Sequence, residues 1–327
     1  MAEKSEKNEK KAVPLEFEKP LDLLAQQIER LEEQLVDHPE LEGDINRLQE
    51  QYNRLKRSLY SNLKSIDHLA IARHPQRPYT RDYLDQWDPE WIELHGDRSG
   101  MDDEAMVCAL VRLADDVRVI VVGTQKGRSL RDKQSCNFGM PQPEGYRKAL
   151  RIFKHADKFG LPIVTLIDTP GAYPGLTAEE HNQAEAIAVN LRELAGLCVP
   201  VISVVTGEGG SGGALAIGVA NRIFMLEHSV YSVISPEGCA SILWRSGDKV
   251  MEAAQAMKIT AREILDLGII DGVIEEPLGG AHQDMAATVE TLRNYLVPPL
   301  KELMKMSPEA VRQDRQNKFR SYGAFAE

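Results

Sequence analysis

The chain has 327 residues, 43% apolar and 27% charged, which places it among soluble globular proteins with room for one large domain or two ordinary ones. A net charge of -11 argues against nucleic acid as a main partner, because phosphate binding needs concentrated Lys and Arg; an anionic substrate would have to be held by a local basic cluster. The four cysteines, Cys108, Cys136, Cys198 and Cys239, form no C-x-x-C pair, so neither a zinc ribbon nor a disulfide framework is indicated, a reducing cytosol fits, and no apolar run approaches the ~18 residues of a membrane span.

Residues 1–18 are charged in both signs, offer almost nothing to bury and read as a disordered leader, with neither a signal-peptide core nor the acid-poor pattern of a transit peptide. Leu21, Leu24, Ile28, Leu31 and Leu35 then follow helical spacing. After a break near Pro39 the spacing resumes at Leu41, Ile45, Leu48, Tyr52, Leu55 and Leu59, which predicts an antiparallel helical hairpin over 19–66. Such a hairpin packs on its own domain, on a partner subunit, or on both. In Ala72-Arg-His-Pro-Gln-Arg-Pro-Tyr-Thr80 the prolines forbid regular helix and the basic residues could meet an anion; a surface linker is the default reading.

The main domain, 67–297, reads as α/β, with buried parallel strands alternating with helices. Strands are predicted at 105–113, 117–123, 161–168, 199–205, 222–226 and 229–234. Helices are predicted at 143–159, at 177–195 with Thr177 and Glu180 at capping-box spacing, and at 211–220, 249–257 and 261–267. From Pro298 to 327, Lys301, Lys305, Arg312, Arg315, Lys318 and Arg320 predict a solvated helical tail with a frayed end.

Two strand-ended turns about 40 residues apart carry the chemistry. The first is Asp168-Thr-Pro-Gly-Ala-Tyr-Pro-Gly175; the second, Thr206-Gly-Glu-Gly-Gly-Ser-Gly-Gly-Ala-Leu215, has five glycines in ten residues. Turns of this kind at the carboxyl ends of neighbouring strands predict one shared site. Asp168-Thr-Pro-Gly171 imitates a GTPase D-x-x-G switch, but no phosphate loop lies upstream and no N-K-x-D element follows. Gly209-Gly-Ser-Gly-Gly213 satisfies the G-x-S-x-G nucleophile elbow, for which His228 or His282 with Asp248, Asp266, Asp271 or Asp284 would be the remaining triad. The excess of glycine favours instead an oxyanion site, in which backbone amides at a helix start stabilise negative charge. A tight strand-to-helix contact that needs small residues is the plainer alternative.

Further blocks run through Ala72-Arg-His-Pro, His95-Gly-Asp, Gly123-Thr-Gln-Lys-Gly-Arg128, Asn137-Phe-Gly-Met-Pro, Pro143-Glu-Gly-Tyr-Arg-Lys148 and Tyr231-Ser-Val-Ile-Ser-Pro-Glu-Gly. With the two turns, they closely resemble the alpha-subunit family of bacterial acetyl-coenzyme A carboxylase carboxyltransferases, in the crotonase-like superfamily. The resemblance implies a crotonase-like spiral of ββα units carrying the N-terminal helical hairpin. It also implies an α2β2 assembly with a zinc-bearing beta subunit, and transfer of the carboxyl group of carboxybiotin, delivered by the biotin carboxyl carrier protein beside biotin carboxylase, to acetyl-CoA. It would make Gly213 and Ala214 the oxyanion amides, with Gly171, Ala172, Tyr173, Gly209, Gly210 and Gly212 shaping the biotin pocket and no metal bound by this chain. Lys126 and Arg128, in the loop after a strand, are candidates to hold the transferring carboxylate, with solvated loop charge as the alternative; Glu208 is given no role.

Overall fold

The computed structural model describes residues 15–323, so residues 1–14 of the expected leader lie outside the described residues. Residues 16–18 form a 3-10 turn that runs into helix α1 (Lys19–Gln34), which packs on α2 (Glu42–Tyr60). The apolar stripe of this pair buries Leu21, Ile28 and Ile45. At its far end the Tyr60 hydroxyl lies 2.6 Å from the Glu18 carboxylate and 3.2 Å from the Gly279 carbonyl, tying the pair to the main body. Helix α3 (Ser65–Ala72) crosses the expected 66/67 boundary and packs Leu69 and Ala72 against Val230, Ala254 and Ile259.

The segment 72–80 is not a surface linker. Its prolines break the helix, yet His74, Tyr79 and Thr80 are buried and Arg77 is 0% exposed. It leads into α4 (Thr80–Trp87), whose Tyr83, Leu84 and Trp87 enter the core.

The sheet comprises β1 (Ile92–Glu93), β2 (Met106–Ala114), β3 (Val117–Thr124), β4 (Ile163–Thr169), β5 (Val201–Gly210), β6 (Arg222–Leu226), β7 (Val230–Ser232) and β8 (Gly272–Ile274). Its order is β1-β2-β3-β4-β5-β6-β8, antiparallel up to β3 and parallel from there, with β7 added to β5. One face is covered by α6 (Pro143–Phe159), which follows the short α5 (Leu130–Ser135), and by α8 (Gln183–Gly196), which follows α7 (Leu176–Glu180). The other face is covered by α4 and α13 (Met285–Leu303). The parallel strands are buried on both sides, so they read as continuous apolar runs.

The structure moves three predicted boundaries in this region. Strand β5 continues five residues past 205, through the first glycines, to Gly210: Ile202–Val205 pair with β6, and Glu208–Gly210 pair with β7. Helix α9 is only Ser211–Leu215, not 211–220. The helix predicted over 177–195 is broken at Asn182, which has φ +65°, and no side-chain cap forms at Thr177. Cross-chain ties explain the break: His181 Nδ1 lies 2.6 Å from the Glu144 carboxylate, and Arg147 donates to the His181 carbonyl at 3.0 Å.

Beyond β7 comes α10 (Pro236–Trp244), a helix absent from the sequence reading, then α11 (Val250–Met257) and α12 (Ala261–Asp266), both of which open near their predicted positions. Helix α13 runs through Pro298 and Pro299, so the boundary expected at 298 falls inside it; Leu292, Leu296, Leu300 and Leu303 are buried along one face and carry it across the prolines. The tail is helical and solvated on one side only, with Lys305, Arg312 and Arg320 exposed. Helix α14 (Pro308–Arg320), capped by the Ser307 hydroxyl, buries Arg315 completely. That guanidinium donates to the carbonyls of Leu194 (2.7 Å), Leu197 (2.9 Å) and Val199 (2.6 Å) and to Asn221 Oδ1 (2.7 Å), fastening the segment that leads into β5.

Candidate active site

At the end of β4 the chain turns at Pro170 and Gly171. Gly171 has φ +151°, a conformation that L side chains rarely adopt, and the Thr169 side chain closes the turn by donating to Gly171 O (2.7 Å) and accepting from its amide (3.0 Å). Tyr173 is held by its amide on Pro141 O (3.0 Å) and its carbonyl on Gln183 Nε2 (3.0 Å).

The second turn lies directly against the first. A Cβ on Gly210 would collide with the Pro170 carbonyl, and one on Gly213 would stand 2.5 Å from the Ala172 nitrogen and 2.6 Å from the Gly171 carbonyl carbon. The structure therefore brings Pro170 backbone to backbone with Gly210, and Gly171 and Ala172 with Gly213, and this seam is the centre of the site. Within β5, Gly207 is pressed on the Asp168 carboxylate and Gly209 on the Tyr231 ring, so these glycines serve close packing. Free amides are expected at the start of α9, whose first donors, up to Gly213, have no acceptor inside their own helix. Gly213 and Ala214 are buried there, Gly212 is half-buried and Ser211 is exposed.

A charge network underlies the seam. Lys126, just past β3, places Nζ 2.7 Å from Asp168 Oδ1 and 2.9 Å from Glu208 Oε1. Asp168 Oδ1 also accepts from the Glu208 amide at 2.8 Å, and the other Glu208 oxygen receives Arg73 Nε at 2.7 Å. Arg73 continues to Glu237 at the start of α10, 2.6 Å away. Burial pushes the Glu208 carboxyl up, and the Lys126 and Arg73 charges override it and hold it below the usual carboxylate range. Burial likewise pulls the Lys126 ammonium down, and Asp168 and Glu208 override it and raise it. A shallow cleft of only about 10 Å³ opens against this network, lined by Arg73, Pro170, Glu208, Gly209, Gly210 and Ser235 among others.

A second buried lock holds the same strand from the opposite side. Arg77 donates to the Thr206 carbonyl (2.6 Å) and clasps Glu276 with both terminal nitrogens (2.8 and 2.5 Å). Glu276 accepts in turn from the amides of His228 and Ala281. Burial pushes this carboxyl up, and the guanidinium beside it overrides that and holds it down to about 2.

Of the two cations expected to hold a carboxylate, Lys126 is committed to two acids of its own chain. Arg128 is committed elsewhere, bonding Asp82 and the Pro75 carbonyl (2.7 Å) and standing 4.2 Å over the Tyr79 ring. Sequence reasoning missed Arg73, Asp168 and Glu208 as one network; the available signal was a single acid in each turn, flanked by apolar or glycine residues. Among the described residues no histidine or carboxylate hydrogen-bonds Ser211. His228 faces His68 (Nδ1 to Nδ1 3.3 Å) and His282 stacks on His74 (ring centroids 3.7 Å apart), so neither serves a triad there. Also among the described residues, no group of three or more His, Cys, Asp or Glu is placed to hold a metal ion, and no helix is long and apolar enough to cross a membrane.

Preorganised main-chain donors beside a small cleft, with a neutralised charge network behind them, suit chemistry in which negative charge develops on an oxygen. Comparison with known proteins agrees in fold and in family. Solved structures of similar shape include a Pseudomonas malonate decarboxylase hetero-tetramer in complex with coenzyme A (TM-score 0.57, 17% identity, covering 73% of this chain and 94% of that one). Another is the beta subunit of geranyl-CoA carboxylase from P. aeruginosa (0.55, 17%, 75% and 46%), and a third is transcarboxylase 12S (0.53, 22%, 65% and 41%). At these identities they establish the fold, which is crotonase-like. Curated relatives named acetyl-coenzyme A carboxylase carboxyl transferase subunit alpha include those of Synechococcus elongatus, 51% identical over 97% of both chains, and Azotobacter vinelandii, 52% identical over 94% of this chain and 98% of that one. The model of the family described as acetyl co-enzyme A carboxylase carboxyltransferase-like matches residues 14–323, and the chain belongs to that family.

Proposed function

We propose that this chain is the alpha subunit of a cytoplasmic acetyl-CoA carboxyltransferase, which moves a carboxyl group from carboxybiotin to acetyl-CoA and gives malonyl-CoA for fatty acid synthesis. It acts with a zinc-bearing beta subunit in an α2β2 assembly, takes carboxybiotin from a biotin carboxyl carrier protein, and works beside biotin carboxylase. The observation that carries this reading is the seam, in which two turns meet main chain to main chain at Gly171, Ala172 and Gly213.

Carboxybiotin supplies, when bound, an activated carboxyl group and a ureido oxygen that gains negative charge as the group leaves. The amides of Gly213 and Ala214 donate to that oxygen, backed by the glycine-shaped turn at Gly209, Gly210 and Gly212. Gly171, Ala172 and Tyr173 form the facing wall. Lys126 and Arg73 pair with Asp168 and Glu208 behind the amides, a role their ion pairs favour over direct grip on a free carboxylate. Arg128, bonded on the 75–82 segment, steadies the outer loop.

In the test, the chain is assembled with its beta partner and malonyl-CoA formation is measured. The isolated chain is expected to be inactive. Gly213→Val, which has no room at the seam, is expected to lower turnover by about 10²–10³, while Ser211→Ala leaves it within twofold. Full turnover in Gly213→Val, or fluorophosphonate labelling of Ser211 with loss of activity, overturns the reading.

A further inference from the structure

Behind the seam, on the core side, stands a tyrosine whose hydroxyl bonds to nothing. Tyr146 lies on α6, is 0% exposed, and its Oη has no hydrogen-bond partner. Its ring belongs to the cluster that also holds Ala214. The position that a Cβ on Gly213 would occupy is 2.9 Å from the Tyr146 hydroxyl and 2.5 Å from the Ala172 nitrogen, so the phenol meets the two turns where they touch. Its placement is held from several sides. Asn190 on α8 donates to the Tyr146 carbonyl at 3.1 Å, and the start of α6 is fixed by Asp103, which accepts from the Gln142 amide at 2.7 Å. Burial, with the Asp103 charge adding to it, pushes the phenol well above its ordinary range, so it stays protonated and is able to donate.

A buried hydroxyl without a partner costs stability, which phenylalanine would avoid at almost the same shape. We propose that Tyr146 is a positioning residue of this site, its hydroxyl held unbonded against the back of the seam as a reserve donor that engages when negative charge arrives at the amides of Gly213 and Ala214. A donor already desolvated and aimed needs no reorganisation when the charge appears, and in a low-dielectric interior its effect on adjoining peptides is strengthened. The inference rests on the function proposed above.

The test compares Tyr146→Phe with Tyr83→Phe in the full chain assembled with its partner subunit. Tyr83 is a matched control, equally buried and also without a partner for its hydroxyl, but in the apolar cluster on the opposite face of the sheet. Four quantities are read: Tm, the Tm shift produced by free biotin, and kcat and KM for acetyl-CoA. Both variants are expected to keep or raise Tm. Only Tyr146→Phe is expected to lower kcat, by about tenfold with KM unchanged, and to reduce the biotin shift.

Wild-type kcat and an unchanged biotin shift in Tyr146→Phe would overturn the inference. So would a fall in kcat that tracks a fall in Tm, or equal losses in both variants. A wild-type assembly that transfers no carboxyl group would instead sink the function on which the inference rests.

Discussion

Arg77, beside the glycine strand, and Arg315, in the last helix, are both wholly excluded from solvent, yet one meets a carboxylate and the other meets only carbonyls and an amide oxygen. Arg77 and Glu276 form a buried ion pair that also grips Thr206, two histidine-bearing segments and the exit of β8. Arg315 spreads its charge over four oxygen dipoles from α8, the segment after it and Asn221. The first arrangement binds stability to protonation, because its anchor and its neighbours titrate. The second is less sensitive to acid, since the carbonyls that accept from the guanidinium do not titrate and carboxylates enter only through Asp157 and Asp314 around it. The site strand is therefore held at Thr206 by a pH-sensitive lock and at its start by a less sensitive one.

Breaking one half of the charged lock is expected to have the largest effect. Arg77→Met leaves Glu276 buried and unpaired and is expected to cost about 3–5 kcal/mol in denaturant unfolding. The double change Arg77→Met with Glu276→Met is expected to recover most of that loss. If the double variant is no better than the single one, the pair is not what limits stability there.

Arg315→Met strands three carbonyls but no opposite charge, so a smaller loss of about 2–3 kcal/mol is expected, with the site strand loosened at its start as read by amide exchange at 199–202. A loss equal to that of Arg77→Met would erase the distinction between the two locks.

Acid separates them further. Burial holds His228 down to about 4 and His282 down to about 3 in the folded chain, against 6.5 for the free side chain. The unfolded state takes up these protons first, so stability is whole above about pH 6.5 and falls as the pH drops toward 4. At pH 5 the expected loss is about 2 kcal/mol for each histidine. Below pH 4.5 Glu276 extends the loss, since protonating it in the unfolded chain begins there while the folded group resists to about 2. Exchange between pH 7.5 and 5 should rise around Arg77 before it rises around Arg315; the reverse order would contradict the comparison. The mildest effect is expected at the rim of the Arg77 region, where Tyr60→Phe removes the hydroxyl contacts to Glu18 and Gly279 and costs about 1 kcal/mol.

Much of the frame is legible from apolar runs. Strands β4 and β6 and helix α6 stand close to where hydrophobic pattern puts them, because elements buried on two faces must be apolar throughout. Both buried arginines are misread from sequence for the same reason: arginine is an exposed residue by default, and the partners that make its burial tolerable stand 199 residues away for Arg77 and up to 121 for Arg315. The glycine segment is misread in the opposite direction. Glycine is rare in strands, so residues 206–210 look like loop; only their pairing with 230–232 and the crowding at Gly207 and Gly210 make them strand. At the site, the two turns are visible as motifs, but their contact is not, and Tyr146, though it stands in the Pro143-Glu-Gly-Tyr-Arg-Lys148 block, gives no sign there of meeting the seam.

The clamp made by Arg315 also sets an order of events during synthesis. Every strand of the sheet precedes residue 275, while the guanidinium that answers Leu194, Leu197 and Val199 arrives forty residues later, at 315. A nascent chain that stops short of α14 carries every strand of the sheet but lacks the clamp on the segment before β5, so that segment is expected to tighten only once residue 315 has been made.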